Sequence, residues 1–250
     1  MFVRALVGCI LLMAVSGPAT AEPFRIAVPP LASLLEEDGS GVYQRLIDQA
    51  LVPLDAEIEQ HFYPYRRALR VFEEGEVDCV FSLTEVLLER HGEDEVIYSF
   101  PLGKFIFHIF TLADEPAIES VEALNGLSVA TILGHEVYLK SVLGRDFQVE
   151  QVRSEAQAIR MLELNRLDAF IAALPDIQPF LGQLNYAPES PLLESFDRLN
   201  CHATERNLAF VDALSERLRT LKENGIYREE AGPLYVPFSH EEAGPSYADR

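Results

Sequence analysis

The chain has 250 residues, of which 40 are acidic and only 20 are Lys or Arg, so its formal net charge is −20. This acidity argues against nucleic-acid binding, which requires a basic surface to contact the phosphates. Hydrophobic residues make up 48% of the chain, enough for a sizeable globular core. The negative charge favours solubility and mildly attracts cations, but it identifies no ligand.

The first 21 residues have the pattern of a secretory signal peptide. A basic start containing Arg4 precedes an apolar stretch over residues 5–15, and the small residues Ala19 and Ala21 frame a cleavage site. No later apolar run is long enough to cross a bilayer. We therefore expect an exported, periplasmic chain that starts at Glu22 and does not insert into the membrane.

Strands and helices alternate in the first part of the exported chain. Residues 24–28 predict a strand that ends at Pro29 and Pro30. Residues 42–51 carry apolar side chains at helical spacing, and residues 57–62 predict a second strand. Alternation of this kind predicts a parallel sheet with right-handed crossovers.

Residues 63–81 contain the most informative pattern, which is a helix, a glycine and a buried strand. Gly75 stands where a chain leaves a helix through a left-handed residue. Residues 156–171 repeat the pattern, with Asp168 in the turn before the strand. Two such units predict two similar α/β lobes, and a cleft between lobes is a common ligand site.

The remaining elements complete this two-lobed organisation. They are an extended first crossing between lobes (104–112), a strand (127–132), a helix opened by Gly134 and His135, a strand (147–152), a return crossing (199–203) and an amphipathic helix (207–224). We therefore expect lobe one to comprise residues 22–108 and 199–237, and lobe two to comprise residues 109–198. A polar, frayed tail is expected over residues 238–250.

Two cysteines, Cys79 and Cys201, follow the signal peptide. An oxidising compartment permits a disulfide between them. Free buried thiols are the alternative, which we favour because a core of this size does not need a bridge. No CxxC motif and no Cys/His cluster indicates a metal or redox cofactor, so we expect none.

Four segments resemble family-3 extracytoplasmic solute-binding proteins. They are residues 63–84, 118–139, 158–171 and 207–235, and they occur in the order found in the family. The resemblance implies the type II periplasmic-binding-protein fold, an α/β fold whose two lobes have mixed, mainly parallel sheets joined by a two-crossing hinge. It also implies a monomer that captures a small polar solute, amino-acid-like or another small metabolite, for an ABC-type permease in the inner membrane, without enzymatic activity.

The family resemblance also indicates where a ligand carboxylate would bind. In amino-acid-binding relatives an Arg three residues after a Thr takes the carboxylate; here Thr84 is in place, but the nearest Arg is Arg90. Arg90 either swings into the cleft or stays a solvated helix residue. The second group that binds a ligand carboxylate in these relatives is a helix N-terminus in lobe two, through its free backbone N–H groups. There Gly134 preserves the close backbone approach, and His135 either contacts the ligand or caps the loop.

Other candidate residues depart further from the family pattern. The Asp that would bind a ligand ammonium group is replaced by Ala173, so Asp176 is either its substitute or an exposed loop acid. Tyr65 stands where relatives place a cleft aromatic, and Arg66 has either a ligand role or a surface salt bridge. Glu136 is expected to have a structural role at its helix start.

The sequence leaves two other functions open. The first is a periplasmic dehydratase-like enzyme that uses a cleft carboxyl group, from Asp176 or Glu136, as a general acid. The second is a ligand-sensing or partner-binding module with a degenerate site.

Overall fold

A computed structural model describes residues 22–54, 56–144 and 148–243. The predicted signal peptide lies outside these residues. The strands are β1 (Phe24–Val28), β2 (Ile58–Phe62), β3 (Cys79–Leu83), β4 (Val96–Tyr98), β5 (Gly103–Leu112), β6 (Val129–Ile132), β7 (Glu150–Val152), β8 (Ala169–Leu174), β9 (Leu184–Asn185) and β10 (Leu193–His202). The α-helices are α1 (Val42–Leu51), α2 (Tyr65–Glu73), α3 (Thr84–His91), α4 (Glu136–Leu143), α5 (Glu155–Glu163), α6 (Glu205–Glu223) and α7 (Ile226–Ala231). None of these helices is long and apolar enough to cross a membrane.

The described strands form one mixed sheet in the order β2-β1-β3-β10-β5-β8-β6-β7, with β4 on β10 and β9 on β5. β1 is parallel to β2 and β3, and β6 is parallel to β7 and β8. All pairs made by β5 and β10 are antiparallel. Helices connect the parallel strands, as such pairs require. The predicted α/β class is therefore confirmed.

Two long strands, β5 and β10, join the two groups of parallel strands. The first half of β10 pairs with β5, and its second half pairs with β3. Asp197 is the residue where the partner changes, opposite Gly103 on one side and Leu83 on the other. The later half of β5 pairs with β8. The return strand begins at Leu193, earlier than the predicted residues 199–203.

Hydrophobic periodicity located most elements of the first part of the chain. β1 and α1 have the predicted bounds, and α2 ends near Gly75, which has a φ of 71°. α3 follows β3 without any connecting residue, and its bounds were not predicted. Only the end of the predicted strand over residues 147–152 forms β7, and residue 147 lies outside the described part of the chain.

Both faces of β8 are buried, which explains its continuous apolar sequence. Ala169, Ile171 and Ala173 belong to the larger hydrophobic core, which also covers β1 and β3. Phe170 and Ala172 face the smaller core beneath α5. This alternation follows from the two-residue period of a strand.

The prediction of a frayed tail after Pro237 is wrong for residues 238–243. Phe238 is buried, with its ring 5.3 Å from that of Phe196. Glu242 pairs with the buried ammonium group of Lys104 at 2.9 Å. An apolar anchor and a partner for a buried charge therefore hold this segment on the core.

The interpretation of the cysteines as free thiols is also wrong. Cys79 and Cys201 form a disulfide. They are directly opposed on the antiparallel strands β3 and β10, with their Cα atoms 4.0 Å apart. The bridge therefore ties β3 of the first group to β10, the strand that joins the two groups.

Replacing both cysteines with alanine should lower the free energy of unfolding by about 2–5 kcal/mol, because the bridge closes a long loop. Its two ends are 122 residues apart in the sequence. Urea unfolding without reductant measures the difference, and wild type with dithiothreitol should approach the variant. Two titratable thiols in the unreduced, unfolded protein lacking residues 1–21 would contradict the bridge.

Candidate functional site

A cleft of about 370 Å³ lies where loops from both strand groups meet. Its walls come directly after the carboxyl ends of five strands, β1, β2, β6, β7 and β8. Because β8 is antiparallel to β5, the β6–β8 group runs toward the β1–β3 group. The carboxyl ends of both groups therefore face each other, and such ends are where ligands bind in α/β sheets.

Five of the residues predicted for the site line this cleft: Tyr65, Arg66, Gly134, His135 and Asp176. Tyr65 and Arg66 open α2, while Gly134 and His135 connect β6 to α4. Asp176 lies in the loop after β8. The sequence therefore located these residues correctly in space, although their contact with a ligand stays a prediction.

Neither Thr84 nor Arg90 lines the cleft, so the placement of Thr84 there was wrong, whereas Arg90 follows the alternative of a solvated helix residue. The hydroxyl group of Thr84 is buried and lies 2.7 Å from the side-chain oxygen of Asn200. Arg90 lies in the last turn of α3 and forms an ion pair with Glu73. Leu87, three residues after Thr84, is fully buried. The carboxylate-binding Arg of relatives therefore has no counterpart at this position.

A carboxylate of the chain itself occupies the other anion-binding position. Glu136 Oε2 accepts the backbone N–H of Gly134 at 2.7 Å, and Glu136 Oε1 accepts Nε of Arg66 at 2.9 Å. Glu136 is in the first turn of α4, where the helix dipole favours an anion. Arg66 therefore does form a salt bridge, but across the cleft and not with a neighbouring surface acid.

Aromatic rings form one wall of the cleft. The Tyr65 and Tyr138 rings are 5.1 Å apart, and the hydroxyl group of Tyr65 is 2.7 Å from that of Ser82. Burial raises the pKa of both tyrosines, so both phenols are neutral. A Cβ atom at Gly134 would lie 3.5 Å from Tyr65 Cβ, and the φ of 102° there suits glycine.

His135 is a neutral, nearly buried side chain in this wall. It is 7% exposed, and its ring packs against Phe107 and Tyr138 at centroid distances of 5.8 and 5.5 Å. Its Nδ1 atom is buried and has no hydrogen-bond partner in the described part of the chain. Burial lowers the pKa of His135 to about 4, although Glu136 opposes this effect. His135 therefore does not cap a surface loop.

Asp176 lines the cleft and has one buried carboxyl oxygen without a partner in the described part of the chain. It is half-buried, and its Oδ1 atom has no hydrogen-bond partner within the described residues. Burial raises the pKa of Asp176 well above its usual value, and the carboxyl groups of Glu155 and Asp197 raise it further. The interpretation of Asp176 as an exposed loop acid is therefore wrong.

The two acids that raise the pKa of Asp176, Glu155 and Asp197, belong to different elements. Glu155 is the first residue of α5, placed there by Ser154, whose hydroxyl group accepts the N–H of Gln157 at 3.2 Å. Burial raises the pKa of Glu155. Asp197 lies at the partner change in β10, and its burial raises its pKa to about 7. The acids thus come from three separate parts of the fold.

Sequence reasoning missed several residues of the cleft. They are the segment after β1 (residues 29–32), Ile132, Leu133, Tyr138, Arg153 and Glu155. The signal that could have found most of them is position, since they follow the ends of strands that were predicted correctly. Tyr138 lies one helical turn after Gly134, on the same side of α4 as the loop.

No protein-family model matches the chain, and a search of curated proteins finds no match. Its structure is nevertheless similar to type II periplasmic-binding-protein folds, which confirms the fold implied by the sequence resemblance. One similar structure is the GluR0 ligand-binding core from Nostoc punctiforme in complex with L-glutamate, with a TM-score of 0.67 and 18% identity over 86% of this chain and 100% of that one.

Two further structures show the same likeness. A histidine kinase sensor domain with similarity to periplasmic binding proteins has a TM-score of 0.64 at 17% identity, over 87% of this chain and 99% of that one. An ancestral arginine-binding protein bound to arginine has a TM-score of 0.63 at 17% identity, over 87% of this chain and all of the other. Identities this low establish the fold and leave the ligand open.

Replacing Asp176 with asparagine should raise the melting temperature by a few degrees at a pH of about 7.5, because the raised pKa makes ionised Asp176 a cost to the folded state. The gain should shrink as the pH falls toward about 4, because the carboxyl group of the unfolded chain then begins to take up a proton as well. Thermal unfolding at both pH values measures it. A gain that does not depend on pH would contradict the burial of the charge.

The imidazole of His135 should titrate near pH 4 in two-dimensional NMR spectra. Because the unfolded chain binds this proton below a pH of about 6.5, stability should fall as the pH is lowered from there toward 4. The loss of one resonance in His135→Gln assigns the signal. Titration near the ordinary histidine value would contradict the buried neutral state.

Proposed function

We propose that this protein binds a small polar solute in the cleft, in the periplasm, and presents it to an ABC-type permease. The observation that carries the proposal is a cleft whose lining residues Asp176 and His135 each hold a buried polar atom, Oδ1 and Nδ1, without a partner in the described chain. An unsatisfied buried polar atom costs about 1–3 kcal/mol, which a complementary ligand recovers. The cleft volume also suits a small solute.

The proposed lobes are residues 22–108 with 199–237, and residues 109–198. β5 and β10 form both connections between them, so a change in backbone angles near residues 108–109 and 198–199 opens or closes the cleft. The Arg66–Glu136 ion pair then links α2 of one lobe to α4 of the other. Such a link favours the closed arrangement, in which a bound solute is shielded from water.

Binding fits the side chains better than catalysis does. A raised pKa such as that of Asp176 suits a general acid, and this favours the dehydratase-like alternative. That alternative needs a cation near Asp176 for an acidic substrate. Arg66 is paired with Glu136, Arg153 is exposed to solvent, and the acids Glu155 and Asp197 influence Asp176 instead. We therefore propose capture of the solute without chemistry.

A thermal-shift screen of the protein lacking residues 1–21 tests the proposal. The panel contains amino acids, amines, organic acids and sugars. A solute at about 100 times its Kd should stabilise the protein by about 2.7 kcal/mol, which corresponds to roughly 5–10 °C. No shift with any class of solute would contradict solute binding.

Two tyrosine variants test whether the solute binds in the cleft. Tyr138→Ala removes part of the cleft wall and should weaken binding by about tenfold or more, because buried aromatic contact is lost. Tyr186→Ala is the matched control, since its ring packs on His108 and Phe110 outside the cleft. Equal loss of affinity in both variants, measured by calorimetry, would place the site elsewhere.

A further inference from the structure

We propose that the solute is a small organic cation, an amine or guanidinium compound without a free carboxylate group. Glu136 occupies the position that a ligand carboxylate would otherwise take. This inference rests on the proposed function and names the ligand class of the same cleft.

The anion-binding groups around Gly134 are already used by the protein. The N–H of Gly134 and the guanidinium group of Arg66 both contact the Glu136 carboxylate. The Glu136 side chain is only 11% exposed, whereas that of Arg66 is 64% exposed. A ligand carboxylate would have to displace Glu136 and leave a largely buried charge without its partners, which is costly.

The strands on either side of β6 carry acids that no cation pairs with among the described residues, since Asp176 follows β8 and Glu155 follows β7. Asp176 Oδ1 has no partner in the described chain, and Glu155 lines the same cavity. Asp197 lies close enough to raise the pKa of Asp176 as Glu155 does. A cation placed beside Asp176 would be attracted by all three carboxyl groups, whereas an anion would be repelled.

Arg153 is the other cationic side chain of the lining, and it does not provide a buried carboxylate site. It is exposed at the end of β7, and no hydrogen bond or ion pair engages its guanidinium group within the described residues. An exposed charge is screened by water and contributes little to binding energy.

The aromatic wall is also suited to a cation. Tyr65 and Tyr138 present neutral rings, whose faces attract ammonium and guanidinium groups. His135 is neutral at physiological pH, so its unpaired Nδ1 atom can accept a hydrogen bond from such a group. The formal charge of −20 adds a general attraction for cations.

Two matched pairs of probes test the ligand class by calorimetry. Cadaverine differs from lysine, and agmatine from arginine, only by the absence of the α-carboxylate. In each pair we expect the amine to bind about tenfold tighter or more, because Glu136 already fills the carboxylate position. Asp176→Asn should weaken amine binding by about tenfold or more while its circular dichroism spectrum stays that of the wild type.

Glu136→Ala frees Arg66 and Gly134 and should improve lysine or arginine binding by about tenfold relative to the corresponding amine. Glu136→Gln removes only the charge and should shift the preference in the same direction if the alanine variant does not fold. Glu163→Ala is the matched control, because Glu163 pairs with Arg160 on the surface of α5. The control should retain the wild-type preference.

The outcomes separate the two proposals. Lysine or arginine binding the wild type as tightly as its amine would overturn the cation inference and leave solute binding standing. Amine binding that Asp176→Asn does not weaken would also overturn it. If no member of these pairs and no solute of the wider panel binds, the proposed function itself is contradicted.

Discussion

The change of partner along β10 is the constraint on which the rest of the structure depends. One half of this strand pairs with β3 and the other half with β5, so a single backbone ladder joins the two groups of parallel strands. Because β8 is antiparallel to β5, the strand ends of the two groups face each other and create the cleft. The disulfide fastens β10 to β3 on one side of this junction. Asp197 is buried at the junction itself, where it influences the charges of the cleft.

The electrostatics of the cleft are divided between two carboxylates with opposite roles. Glu136 is satisfied by a backbone N–H and a guanidinium group, so it stabilises the contact between α2 and α4. Asp176 has a raised pKa and an oxygen that finds no partner among the described residues, which costs stability in the free protein. A cationic ligand beside Asp176 would remove this loss of stability. A loss of stability that a ligand removes is what we expect of a binding residue. Structural roles usually come with satisfied partners.

Local patterns were sufficient for most elements and for the approximate position of the cleft. The bounds of β1 and α1 follow from periodicity alone, and Gly75 marks the end of α2. Five site residues were found because they follow predicted strands or open predicted helices. The failures concern contacts between distant segments. The pairing of Cys79 with Cys201, the partner of Arg90 and the burial of Phe238 all depend on tertiary packing that no local pattern encodes.

A crystal structure of the protein with bound cadaverine tests the central claim most directly. We expect one ammonium nitrogen at about 3 Å from Asp176 Oδ1, with the Arg66–Glu136 pair and the Gly134 contact intact. A complex with lysine in which the ligand carboxylate lies on Arg66 and Gly134, with Glu136 displaced, would contradict the claim. Cadaverine bound away from Asp176 would contradict it as well.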